Sequence, residues 1–183
     1  LVGVGNHKKD DGTAYYPDPE NKKLTDGLKA ETTSYDDANW VGFHPIKSLV
    51  KGTADYNKPS EMIATIDLGA KVDISKIVTT VANRGGDGIV APKTINYYVS
   101  DDGQTWSAAV KGVYDKNIVA VKDGENTTYP NSGTDATGIR TNTATINKSG
   151  RYVKVEIKDH QAPWNFVDEI EVYDGGVVTP DTV

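Results

Sequence analysis

The segment DHQAPWN, Asp159 to Asn165, sets an imidazole, a large aromatic ring and several polar side chains within one short stretch. Pro163 and the polar residues mark it as a loop, and residues that bind are found disproportionately on loops held by a rigid scaffold. A binding role suits it better than catalysis. The chain has no cysteine nucleophile, no GxSxG elbow and no HExxH pair. The glycines of NRGGDG, Asn83 to Gly88, follow a strand-like run without opening a helix, so a phosphate-binding loop is not expected. Sequence does not show which acids face one another, so a carboxylate pair for glycoside hydrolysis stays open, and the expectation is a non-enzyme. The three histidines lie far apart in sequence, without metal-ligand spacing.

The segments flanking this loop must position it. In RYVKVEI, Arg151 to Ile157, the residues Val153, Val155 and Ile157 alternate with polar ones, which predicts a half-buried strand. In EIEVY, Ile170 and Val172 alternate with Glu169, Glu171 and Tyr173 to the same effect. Upstream, MIATIDLG from Met62 reads as a strand closed by Gly69. ISKIVTTV, Ile74 to Val81, is continuously apolar and β-branched, as in a strand covered on both faces. TINYYVS, Thr94 to Ser100, alternates again and runs into the turn Asp101-Asp102-Gly103. Residues 1–23 predict at most one short strand, and Lys23 to Phe43 an ordered loop ending near Trp40. Residues 111–150 predict strands joined by long loops, with apolar patches at Ile118–Val121 and Ala144–Ile146. Short strands with frequent turns and no amphipathic helix define an all-β sandwich.

At 183 residues the chain suits one core. Its net charge of -6 disfavours nucleic acid and anionic lipid, and no stretch reaches the length of a membrane span. The absence of cysteine excludes disulfides and thiolate metal sites.

Four separated stretches, in order, resemble one family: LTDG at Leu24 to Gly27, TIDLG at Thr65 to Gly69, SDDGQTW at Ser100 to Trp106, and RYVKVEI with DEIEVY at the end. They are similar to the coagulation factor 5/8 type C, or discoidin, domain and to bacterial family 32 carbohydrate-binding modules. WVGF at Trp40 to Phe43 is similar to a bacterial surface-protein branch of that family. The resemblance selects the jelly roll among sandwiches. It also implies a discoidin-like domain over 24–175, with 1–23 packing on it and 176–183 as a linker. The linker reading and the family together lead us to expect a monomeric module of a longer secreted or cell-surface bacterial protein.

The resemblance implies two sites. One is a structural calcium ion, held by the carboxylates of Asp26 and Glu169, main-chain carbonyls of Lys23 and Asp168, and a carbonyl and hydroxyl from Thr32 or a neighbour. Oxygen donors of this kind suit a hard cation. Leu28 stands where Asn or Asp is usual. The other is a carbohydrate site in loops at one end of the sandwich, where Trp164 and His160 come from the final loop and Trp40 and His44 from the first. Arg84 begins NRGGDGI, which resembles the family's RxxGxxxNG loop for galactose-type sugars, and Asp87 falls near the place of its asparagine. The expected ligand is a glycan of galactose or N-acetylhexosamine type, and the alternative is a protein-interaction or structural module. A lipid-binding role is opposed by the acidic charge.

Overall fold

The computed structural model describes residues 1–48, 51–84, 88–116, 118, 137–160 and 164–175. Among the described residues the strands are β1 (Val41–Phe43), β2 (Met62–Asn83), β3 (Thr94–Ser100), β4 (Val110–Lys111), β5 (Val113–Tyr114), β6 (Gly138–Lys158) and β7 (Asn165–Asp174). Among the described residues the helical element is a single 3-10 turn, Lys23–Thr25. The strands run in the order β1-β7-β2-β6-β3-β4, with β5 beside β6, and every named pairing is antiparallel.

The two longest strands create the sandwich. MIATIDLG and ISKIVTTV, expected as separate strands, are the two halves of β2, joined through a register shift between Asp67 and Val72. Gly69 sits at that shift with φ +80, and its N–H is held 2.8 Å from Asp67 Oδ1. Similarly, the patch Ala144–Ile146 and RYVKVEI are parts of one strand, β6, which turns over at Asn147 with φ 48. The first half of β2 pairs with the second half of β6, itself paired with β3. The second half of β2 lies between β6 and β7, and Ile77 to Asn83 are all buried, as a strand covered on both faces requires.

The expected inward residues fill one core: Ile95, Tyr97 and Val99 from β3, Val153, Val155 and Ile157 from β6, and Ile77, Val81 and Ile170 from the other layer. The N-terminal residues lie against this body, with Val2 bridged to Ile63 and Val4 to Phe43. Residues 117 and 119–136 of the expected loop segment 111–150, and the whole expected linker 176–183, fall outside the described residues.

Candidate functional site: an aromatic end and a buried carboxylate pair

At the start of β7 the chain brings together rings that sequence spacing does not connect. Trp164 lies edge-on to His44 at 4.8 Å between ring centroids and to Tyr16 at 5.0 Å. His7 stacks on His44 at 5.3 Å and meets Trp164 at 5.5 Å. Tyr15 stacks on His7 at 4.9 Å. Such offset and edge-to-face contacts each add about 0.5–1.5 kcal/mol beyond area burial. Below them, Tyr16 reaches Phe166 at 4.6 Å, and Trp40, Ala82, Ile89 and Phe166 close a second, smaller core.

Backbone contacts fix these loops. The Trp164 N–H donates to the Gly88 carbonyl at 3.2 Å, and the Arg84 N–H donates to the Ile89 carbonyl at 2.8 Å. Arg84, Gly88, Ile89 and Trp164 are therefore linked through their backbones, which places Arg84 and Trp164 at the same end. Gly42 allows the close approach: a Cβ there would lie 2.8 Å from the Tyr16 Cβ and 3.0 Å from the Trp164 ring.

The candidate contacts are not equivalent. Trp164 and Arg84 are half-buried and His160 is exposed. His44 is buried at 5 % exposure, with its Nδ1 accepting from the Ile46 N–H at 3.2 Å. Burial holds its pKa below the ordinary histidine value, and His7 and His160 push it the same way. Trp40, expected among the ligand contacts, is instead an interior residue at 1 % exposure, its indole N–H donating to the Thr32 carbonyl at 2.9 Å. A ring enclosed in the core cannot stack on a ligand. Asp87 lies outside the described residues. His7, Tyr15 and Tyr16 belong to a polar N-terminal stretch without periodicity, and nothing in their spacing marks them as part of this end.

One turn further along β7 the chemistry changes. Asp168 and Glu169 are buried at 0 % and 3 % exposure, although strand alternation alone would turn Glu169 outward. Asp168 Oδ2 accepts the Ala30 N–H at 2.7 Å and Glu169 Oε1 accepts the Gly27 N–H at 3.2 Å. Asp168 Oδ1 and Glu169 Oε2 are buried without any hydrogen-bond partner. Desolvation raises the carboxyl pKa of Asp168 to about 6 and that of Glu169 to about 7, and the charge of Asp26 adds to the latter.

Where a main-chain carbonyl was expected from Asp168, its side chain is what enters the loop. Asp26 is exposed, with Oδ1 accepting the Leu28 N–H at 2.8 Å. Lys23 lies in the 3-10 turn and its ammonium donates to the Ala38 carbonyl at 2.8 Å. The Thr32 hydroxyl accepts the Ser34 N–H at 3.2 Å. Among the described residues no three His, Asp or Glu side chains converge closely enough to hold a metal ion by themselves.

A two-layer antiparallel β-body with clustered loop aromatics defines a small all-β module. Residues 28–171 match the family model of the F5/8 type C domain, and the chain belongs to that family. No curated protein matches the chain in sequence. Among solved structures it is similar to CBM32-1 from a family 31 glycoside hydrolase of Clostridium perfringens, with 19% identity, 87% of this chain and 88% of that one covered, and a TM-score of 0.44. It is also similar to a Streptococcus pneumoniae fucose binding module, with 12% identity, 95% and 90% covered, and a TM-score of 0.46. A third is a Clostridium perfringens CBM32 in complex with GalNAc-β-1,3-galactose, with 16% identity, 79% and 99% covered, and a TM-score of 0.41.

Proposed function

We propose that this chain is a non-catalytic carbohydrate-binding module that meets its glycan at the loop end of the sandwich. The observation that carries the reading is the convergence of Trp164, His44 and Arg84 from three separate segments at that end. Sugar recognition takes an aromatic face for the C–H side of the ring and a few fixed polar groups for its hydroxyls. Trp164 offers the first, and Arg84 with the exposed His160 the second. Arrays of defined glycans, probed with the wild type and with Arg84→Ala and Trp164→Ala, test it. Binding to a defined glycan that both substitutions abolish is expected. Glycan binding that survives both would remove the loop end as the site.

A second reading has its own support. Trp164 is hemmed in by His7, His44, Tyr15 and Tyr16, which leaves less open face than a bare stacking platform needs. Silence across the array from a folded protein would favour a protein-interaction or structural module.

The carboxylate pair supports a structural calcium ion. Two buried anionic oxygens without partners are what a hard cation would neutralise, and calcium takes six to eight oxygens. Asp168 and Glu169 would contribute these, with Asp26 and carbonyls of the Lys23 to Thr32 loop completing the set. Bound there, the ion would tie the loop to β7 and hold both carboxyls ionised. Calcium sites of extracellular modules work at about 10⁻⁴ to 10⁻³ M, which fits a secreted or cell-surface protein.

A further inference from the structure

Beside the aromatic end lies a cleft of about 390 Å³ that residues of the N-terminal stretch and the first loop build together. Tyr15 and Tyr16 line it, and both rings also pack on Trp164. Tyr35 stands at its mouth, 47 % exposed, next to Asp36. Residues 9–17, which form one wall, precede the part of the chain that the family model matches. That wall therefore comes from outside the matched part of the chain.

The lining divides into groups that are committed and groups that are available. Asp37 is committed, since its carboxylate accepts the N–H groups of Glu31, Thr32 and Asn39. Lys23 is committed to the Ala38 carbonyl. By contrast, the hydroxyls of Tyr15, Tyr16 and Tyr35 and the carboxylate of Asp36 have no hydrogen-bond partner among the described residues. The ammonium of Lys9 rests over the Tyr15 ring at 5.5 Å. Two lysines and two aspartates balance, so nothing in the lining selects a strongly charged ligand.

The backbone is also held in an unusual shape here. Tyr16 has φ 47, a left-handed conformation that costs a bulky residue free energy and persists only where the surroundings over-determine it. The Gly42 N–H, donating to the Tyr16 carbonyl at 3.0 Å, helps impose it. The consequence is a ring placed between Trp164 and the cleft.

We propose that this cleft is a second glycan subsite, seating the neutral hexose-type unit linked to the one held at the loop end. The exposed Tyr35 ring would take the apolar face of that unit, while the tyrosine hydroxyls and Asp36 would bond its hydroxyls. The inference rests on the loop end being a glycan site. It adds that the module reads at least two linked units, and that the N-terminal stretch sets which linkage is accepted.

Glycan arrays carrying galactose- and N-acetylhexosamine-type monosaccharides together with oligosaccharides ending in them provide the test. The probes are the wild type, Tyr35→Ala and Asp36→Asn. Both substituted side chains are exposed, so melting curves should show the fold intact. Tyr35→Ala is expected to weaken oligosaccharide binding about tenfold and monosaccharide binding less than about twofold. Asp36→Asn should move in the same direction with a smaller change. Oligosaccharide binding unchanged in both variants would overturn the subsite and leave the loop-end site standing. A wild type that binds no glycan on the array would overturn both.

Discussion

Two neighbouring parts of β7 show opposite ways of filling a buried space. At Phe166, and on the packed sides of the half-buried Trp164 that precedes it, other rings and the Gly42 backbone fill the space, so burial is matched by contact. At Asp168 and Glu169, a few residues later, burial leaves two carboxylate oxygens unpartnered. What is buried in the first region is matched by the chain's own atoms, while Trp164 keeps part of its surface open. The second holds charge that has lost water without regaining equivalent bonds, which costs stability unless a proton or a cation compensates. One strand thus borders an aromatic end whose packing is self-sufficient and an acidic pair whose buried oxygens lack partners.

The largest effect should come from removing a ring at the self-sufficient end. Phe166 is 1 % exposed and touches Tyr16, Trp40 and Trp164. Phe166→Ala is expected to cost about 3–5 kcal/mol in urea unfolding. A loss below about 1 kcal/mol would mean that this end is loosely packed and that the contrast does not hold.

Calcium probes the other side of the comparison. At a free concentration about a hundredfold above its dissociation constant, an ion bound by the folded state adds about 2.7 kcal/mol. For a chain of this size that is a rise in melting temperature of roughly 5–10 °C over the value in chelator. Asp168→Asn with Glu169→Gln should abolish the response. Equal melting temperatures of the wild type with calcium and with chelator would remove the ion from the acidic pocket.

Acidity should separate the two regions by sign. The carboxyl pKa values of Asp168 and Glu169 are raised from 3.8 to about 6 and from 4.5 to about 7. The folded state therefore holds protons that the unfolded chain has released, and this stability is lost as pH rises from about 4 to 7. His44 runs the other way, because its folded value lies below the ordinary 6.5 and acid favours the unfolded chain. In chelator the wild type should melt higher near pH 5.5 than near pH 8, by on the order of a few kcal/mol in stability. The Asp168→Asn, Glu169→Gln variant should reverse the slope and expose the histidine. A wild type that melts higher at pH 8 in chelator would place the carboxylates outside the titrating set.

Strand positions were legible wherever one face meets the core and the other meets water, as in TINYYVS and RYVKVEI. What alternation could not show was continuity: β2 passes through Gly69 and β6 through Asn147 by local distortion, and in a linear reading such residues are stop signals. Asp168 and Glu169 illustrate another limit. Family resemblance pointed to them, but periodicity alone would make Glu169 a solvated strand residue. The aromatic end was half legible. Trp164, His44 and Arg84 stood out by type, whereas His7, Tyr15 and Tyr16 owe their role to a stretch that packs across the fold from more than a hundred residues away in sequence. No local pattern encodes such a contact.

The smallest of these effects comes from adding one methyl group. Gly42 lies in β1 with its backbone under the rings, and a Cβ there would meet both Tyr16 and Trp164 closer than side chains normally pack. Neither neighbour is the free end of a flexible chain: one contact is a Cβ and the other an indole held by four further rings. Gly42→Ala should therefore shift Tyr16 and Trp164 and cost about 1–3 kcal/mol, as overpacking does. The shift would be visible as altered tryptophan fluorescence. The acidic pocket lies beyond this contact, so the calcium response in melting temperature should remain at its wild-type size. If Gly42→Ala removed the calcium response as well, the two parts of β7 would be one cooperative site. The division between a self-sufficient end and a dependent one would then be wrong.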